Sequence, residues 1–163
     1  MRRGFSDRLL RELLKNSKRG DRELANVLGV SQPTVTRARR KLKQDKVIHD
    51  YTVVPDFKQL GFELMAIGLV KVRPDAITPE SIAKAKAYAQ QTPFAIYSAM
   101  GEGMGMNGVV ISFHKSYRDL HQRMSQFRVA WKDYLEHIEF FVITLGEGEF
   151  KRFSLTHLKD VPP

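Results

Sequence analysis

Apolar residues recur at helical spacing through the first 45 residues and in strand-like alternation through most of the remaining chain. Leu9, Leu10, Leu13 and Leu14 form a first stripe, with Ser6 as the expected cap and the segment NSKRG as its end at Gly20. Leu24, Ala25, Val27 and Leu28 form a second, with Asp21 as cap. Gly29 is its left-handed stop, and Val30 is the apolar plug of the turn. Val35, Ala38 and Leu42 form a third, capped by Ser31, with Pro33 in the first turn where a missing N–H costs nothing. Helix, glycine-containing turn of about four residues, helix is the spacing of a helix-turn-helix.

Beyond Lys46 the period changes. VIHDYTVVP alternates as a strand does, and PDFKQLGF reads as a linker. From Phe62 the order is strand, helix, strand, strand, helix, strand, over FELMAIGLVKVR, TPESIAKAKAYAQQ, FAIYSAM, NGVVISFH, SYRDLHQRMSQFR and HIEFFVITL. Thr78 and Ser116 are good helix starts. That order is the split β-α-β arrangement of ferredoxin-like domains. The expected fold class is therefore α+β: a helix-turn-helix domain over residues 1–48, a strand linker over 49–61 and a ferredoxin-like domain over 62–163.

The first strand of that domain is apolar on both faces, Met65, Ile67 and Leu69 alternating with Leu64, Ala66 and Val70, and so is the last, at Phe140 to Ile143. Two helices cover only one face of a four-stranded antiparallel sheet, and a face left in water should be polar. A second copy of the chain is the economical cover.

Charge is segregated. Residues 1–50 hold 14 Lys and Arg against 6 Asp and Glu, out of 27 and 18 in the whole chain. This implies an anionic partner, and nucleic acid fits better than a membrane because no strongly apolar helix face accompanies the charge. On a helical wheel of SQPTVTRARRKLKQ, residues 31–44, Val35, Ala38 and Leu42 share one side. Pro33, Arg37, Arg40 and Gln44 lie opposite, flanked by Thr36 and Lys41. Arg39 falls at the edge of the apolar stripe, its stem on apolar surface and its head in water or on a phosphate.

A basic helix face is often only solvated. Here no acid interleaves to form i, i+4 pairs, a helix and turn of the right length precede, and the first turn offers short hydrogen-bonding side chains. The candidate DNA contacts are Gln32, Thr34 and Thr36 at base edges and phosphates, Arg37 matching guanine O6 and N7, and Arg40, Lys41 and Lys43 on phosphates.

Other chemistry is sparse. Without cysteine there is no disulfide, thiolate metal site or cysteine nucleophile. The five histidines lack metal-ligand spacing and read as surface or interface residues. No nucleophile elbow or paired carboxylates stand out, so neither enzyme activity nor a cofactor is expected. Phe127, Trp131 and Tyr134 stand at helical spacing as core or interface aromatics. GEGMGMNG, residues 101–108, runs into a strand and not a helix, which disfavours a dinucleotide loop. A turn between strands and an effector loop remain as readings of it. No apolar signal core precedes the first helix, and Leu64–Val70 is too short to span a bilayer, so a cytoplasmic location is expected.

The runs DRLLRELLKN and RELANVLGVSQPTVTRARRKLKQDKVIHDYTVVPDFKQLGF resemble, in order and spacing, the winged helix-turn-helix and linker of the Lrp/AsnC (feast/famine) transcriptional regulators. The second domain is similar in element order to that family's RAM domain. The resemblance implies a DNA-binding regulator that dimerises by stacking two RAM sheets and assembles into tetramers or octamers. It also implies an amino-acid effector, whose loop would be Gly101, Glu102, Gly103, Met104, Gly105, Met106 and Asn107. Three positions depart from the family pattern. Arg39 stands where an aliphatic residue is usual, Lys46 where a glycine is, and Asn107 near a usual Asp.

The reading is thus a sequence-specific, homodimeric regulator of transcription on duplex DNA, modulated by a small molecule. Its alternatives are an effector-independent architectural DNA binder and an RNA-binding protein using the ferredoxin-like sheet. The RNA reading needs outward aromatics on the third strand, where NGVVISFH offers only Phe113.

Overall fold

The computed structural model describes residues 3–147, 149–151 and 153–160; the outer ends of the two sequence-drawn domains, 1–2 and 161–163, lie outside the described residues. The chain divides into two compact units, Met1–Val54 with Lys151–Pro163, and Pro55–Phe150.

The first unit holds α1 (Arg3–Lys15), α2 (Asp21–Leu28) and α3 (Gln32–Gln44). Leu9, Leu13, Leu24, Ala25, Leu28, Val35, Ala38 and Leu42 form its buried core, and Phe5, Val30, Ile48 and Tyr51 pack against it. Two residues of the sequence pattern behave otherwise. Val27 is 52% exposed, since it lies about 110° round the wheel from the centre of the Leu24, Ala25, Leu28 face. Ser6 is inside α1 and not its cap, because the helix starts at Arg3; it ends at Lys15, with a turn beyond it.

Nor does Asp21 cap α2. Gly20 occupies that position without a side-chain bond, and the Asp21 carboxylate is engaged with α3 instead. Ser31 is the cap residue of α3, yet its hydroxyl meets Thr34 Oγ1 at 2.8 Å and makes no capping bond.

Both helices of the helix-turn-helix close in the same way. Gly29 is left-handed at φ +67°, and the Val30 N–H donates back to Ala25 O at 3.0 Å. At the end of α3 the left-handed residue is Lys46, φ +55°, with Lys46 N–H on Lys43 O and Val47 N–H on Leu42 O.

The expected strand in VIHDYTVVP is absent: residues 48–56 carry no ladder. Its alternation is satisfied by packing, Ile48 and Tyr51 dropping onto the helical core while Val53 and Val54 stay exposed. A short 3-10 helix, Leu155–Asp160, lies with this unit and against α1, where Arg11 Nη1 donates to Lys159 O at 3.5 Å. The sequence pattern carries the second domain through these residues; in the structure they group with the helices.

The second unit holds β1 (Leu64–Val72), α4 (Pro79–Gln90), β2 (Ala95–Gly103), β3 (Met106–His114), α5 (Tyr117–Trp131) and β4 (Leu135–Thr144). The strands are antiparallel in the order β2-β3-β1-β4, the ferredoxin-like topology. Thr78 caps α4 in a reciprocal box with Ser81, and Ser116 Oγ accepts from Asp119 N at the start of α5.

On the helix-covered face, Leu64, Ala66 and Leu120 form the buried cluster, with Met124, Phe140 and Val142 against it. His114 is there too, 2% exposed, contrary to the surface role read from sequence; its Nε2 lies 2.9 Å from Ser112 Oγ, one strand repeat away. The opposite face carries half-buried Met65, Ile67 and Leu69, with Tyr97 and Phe141 54% and 67% exposed. One end of it is covered from within the unit, by Phe57 stacked on Phe113 at 4.2 Å and by Phe62.

Candidate nucleic-acid interface

Burial of Val35, Ala38 and Leu42 fixes the rotation of α3, and with it the outward stripe. Gln32, Pro33, Arg37, Arg40, Lys41, Lys43 and Gln44 are exposed or nearly so. Gln32, Pro33, Thr36 and Arg37 line one shallow depression at the start of the helix, which brings together three of the expected DNA contacts, Gln32, Thr36 and Arg37. Arg37 Nε reaches back to Pro33 O at 3.4 Å, which leaves the rest of the guanidinium outward.

Three acids of this unit, Glu12, Asp21 and Glu23, are engaged away from the outward face of α3. Glu12 accepts from Lys15, and from Arg19 Nη1 at 2.6 Å; the Lys15 bond first, then Arg19, hold its carboxyl below the usual range against the cost of burial. Arg19 Nε is 3.1 Å from Glu23. Arg39 Nε lies 2.8 Å from Asp21 Oδ1 as an ion pair, and the Thr36 hydroxyl donates to Asp21 Oδ2 at 2.6 Å. Among the described residues Arg37, Arg40 and Lys41 have no acidic partner within ion-pair distance. Three unneutralised cations on one helix face form an anion-binding surface, and their separation from the acids keeps that surface from being neutralised internally.

Arg39 is a brace. Besides its ion pair with Asp21, it donates from Nη2 to Arg19 O at 3.0 Å and from Nη1 to Tyr51 OH at 3.5 Å, so it joins α3 to the start of α2 and to the residues after α3. Its head is therefore on a carboxylate and a carbonyl, and not on water or a phosphate. Thr36 is drawn into the same clamp, its proton directed at Asp21. Thr34 is half-buried and bonded to Ser31, and Lys43 Nζ sits 4.9 Å from the centre of the Tyr51 ring. Sequence reasoning missed the brace because its partners, Asp21, Arg19 and Tyr51, come from other segments. The aliphatic residue usual at position 39 was the one signal. Arg22, exposed in the first turn of α2, is a further cation that the sequence reading passed over.

The glycine-rich stretch 101–107 is the tip of the β2-β3 hairpin. Met104 and Gly105, at φ +53° and +73°, make its two-residue turn, and Met104 is 86% exposed. Gly101, Glu102 and Gly103 belong to β2, exposed; Met106 and Asn107 begin β3, half-buried. Asn107 is committed to the fold. Its side-chain amide accepts from Val72 N at 2.8 Å and donates to Val72 O at 2.7 Å, prolonging the β1-β3 pairing past the last backbone pair.

A helix-turn-helix with an outward cationic second helix, joined to a ferredoxin-like domain, defines a class of DNA-binding proteins. The winged helix-turn-helix DNA-binding family matches residues 7–49. The HTH-type transcriptional regulator PH0061 of Pyrococcus horikoshii is 24% identical over 90% of this chain and 93% of its own. The crystal structure of PH0061 superposes with a TM-score of 0.77 at 26% identity, covering 94% of this chain and 97% of that one. The leucine-responsive regulatory protein of Rhizobium meliloti is 33% identical over about half of each chain, 52% of this one and 51% of that one. A transcriptional regulator of Neisseria meningitidis, solved as a complex with L-Met, shares the fold at a TM-score of 0.73 and 13% identity, covering 94% of this chain and 97% of that one. The chain thus carries a winged helix-turn-helix and is similar over nearly its whole length to an HTH-type transcriptional regulator. No helix among the described residues is long and apolar enough to cross a membrane.

Proposed function

We propose that the chain acts in the cytoplasm as a homodimer on duplex DNA, with α3 in the major groove. Arg37 and Gln32 contact base edges, Thr34 and Thr36 flank them, and Arg40, Lys41 and Lys43 hold phosphates. The observation that carries this reading is the outward set Arg37, Arg40 and Lys41, left without acidic partners while Glu12, Asp21 and Glu23 neutralise cations elsewhere in the unit. Fluorescence anisotropy on a duplex selected from random sequence tests it. With about six phosphate contacts per dimer, log affinity should fall against log salt with a slope near −5. Binding that barely responds to salt, or that survives Arg37→Ala together with Arg40→Ala, sinks the proposal.

Dimerisation is supported by the apolar face on which Tyr97 and Phe141 are 54% and 67% exposed. Phe141→Glu should yield monomers in sedimentation at concentrations where the wild type sediments as a dimer, tetramer or octamer. Unchanged sedimentation counts against this face. An amino-acid effector at the hairpin tip, Gly101–Asn107, is the further part of the reading, supported by the methionine complex of the Neisseria protein. Exposed Glu102 and Met104 are then the contacting groups, since Asn107 is occupied. Calorimetry against the twenty amino acids tests it, and silence across that panel leaves an effector-independent DNA binder.

A further inference from the structure

The second unit is packed unevenly. Its buried cluster lies between β1 and α5, while the β2, β3 and α4 side is walled by small residues: Ala85 and Ala89 on α4, Ser98 on β2, Gly108 and Ser112 on β3. What they leave is a half-open cavity of about 340 Å³ between the helices and the sheet, within the size range of small-molecule sites. An ordinary domain interior holds few voids larger than a water.

The lining is apolar with a biased set of polar groups. Phe127, Trp131 and Val110 supply body contacts. Lys86 lines it, exposed and without an acidic partner among the described residues, and Arg123 lines it too, its Nε donating to Asp119 at 2.7 Å. No Asp or Glu lines the cavity among the described residues. Two lining residues hold buried nitrogens with no hydrogen-bond partner: Trp131 Nε1, which can only donate, and His114 Nδ1, which faces Asp119 at 3.7 Å, beyond hydrogen-bond reach.

We propose that this cavity is a binding site for a small apolar monocarboxylate, a medium-chain fatty acid or an arylalkanoate, with its body against Val110, Phe127 and Trp131 and its carboxylate at Lys86. The unpaired Lys86 and the indole N–H suit an anion, and no carboxylate lines the cavity to pair an ammonium group. The site therefore discriminates against amines and zwitterionic amino acids, and it is separate from the hairpin tip. It holds whether or not the hairpin binds an effector.

Trp131 is the chain's only tryptophan, so its emission reports occupancy directly. Titration of the full chain with decanoate, kept below micelle formation, should give a saturable change, with decylamine at least about tenfold weaker. Ala85→Leu, a substitution at an exposed helix position, narrows the cavity and should weaken decanoate about tenfold or more while the thermal melt is retained. Lys86→Gln cannot disturb the core, and should weaken decanoate several-fold while leaving decanol unchanged. The proposal is overturned by any of three results: no saturable change with decanoate, decylamine binding as tightly as decanoate, or Lys86→Gln leaving the preference for decanoate over decanol intact.

Discussion

Replacing Asp21 by alanine should destabilise the helical unit far more than its position in the first turn of a short helix suggests. Its carboxylate accepts from Thr36 Oγ1 at 2.6 Å, and a hydrogen bond to a charged group is worth about 1.5–3 kcal/mol. It also forms an ion pair with Arg39 at 2.8 Å with both side chains only 20% exposed, between the surface limit of under about 1 kcal/mol and the buried limit of about 3–5. Allowing for solvent at that exposure, Asp21→Ala should cost about 2–4 kcal/mol. Arg39→Leu should cost about 1 kcal/mol or less, since leucine covers the same apolar edge and Asp21 keeps Thr36. The double variant isolates the pair, with an expected interaction energy of about 1–2 kcal/mol.

Urea unfolding monitored at 222 nm measures these values. Trp131 emission, from the other unit, is the internal control. Additivity within about 0.5 kcal/mol would refute the brace. A second arm separates brace from DNA contact. Arg39→Leu should leave the slope of log affinity against log salt unchanged, whereas Arg40→Ala should reduce its magnitude by about 1.8 per dimer.

Three further outcomes are expected. Lys46 sits at φ +55°, a conformation that costs an L-residue roughly 1–2 kcal/mol, so Lys46→Gly should raise stability by about 0.5–1 kcal/mol once glycine's freer unfolded chain is counted; a lower urea midpoint contradicts this. A Cβ on Gly68 of β1 would stand 2.6 Å from Val110 Cγ1 and 2.9 Å from Phe140 Cε1, so Gly68→Ala should cost about 1–3 kcal/mol in unfolding monitored by Trp131, and an unchanged midpoint would show the sheet yields freely. Burial holds the His114 imidazole below its ordinary pKa of about 6.5, with Asp119 opposing and Arg123 assisting. The unfolded chain therefore binds the proton first, so stability is full above about 6.5 and is lost as pH falls below it. Melting of wild type against His114→Gln between pH 7 and pH 5.5 checks this, and parallel curves would remove His114 as the source.

The elements most legible in the sequence are those set by period alone. The stripe Val35, Ala38, Leu42 and the alternation of β1 each admit one orientation against a core, and both are observed. Caps were less legible. Ser6, Asp21 and Ser31 all have the right chemistry for a helix start, yet a cap also needs the backbone to turn there and the side chain to be unclaimed. Arg39 claims Asp21, and the helix before Ser6 leaves no turn for it. The strand read in VIHDYTVVP failed for a related reason: alternation records which side chains are apolar, while a strand also needs a neighbour for its N–H and C=O groups. Tyr51 and Ile48 found a helical core instead.

The same distinction governs the candidate interface. A count of cations in residues 37–43 treats Arg37, Arg39, Arg40, Lys41 and Lys43 alike, and periodicity sorts them only by direction. What separates them is pairing: Asp21, Arg19 O and Tyr51 take Arg39, while Arg37, Arg40, Lys41 and Lys43, the last 4.9 Å from the Tyr51 ring centre, have no acidic partner among the described residues. Charge segregation therefore measures the field that draws a polyanion toward this unit, whereas the contact set is the smaller group that the unit's own acids do not reach. A variant with an aliphatic residue in place of Arg39 would keep the same outward cations, because the brace adds nothing to that set; what it adds is a polar tie from α3 to the start of α2.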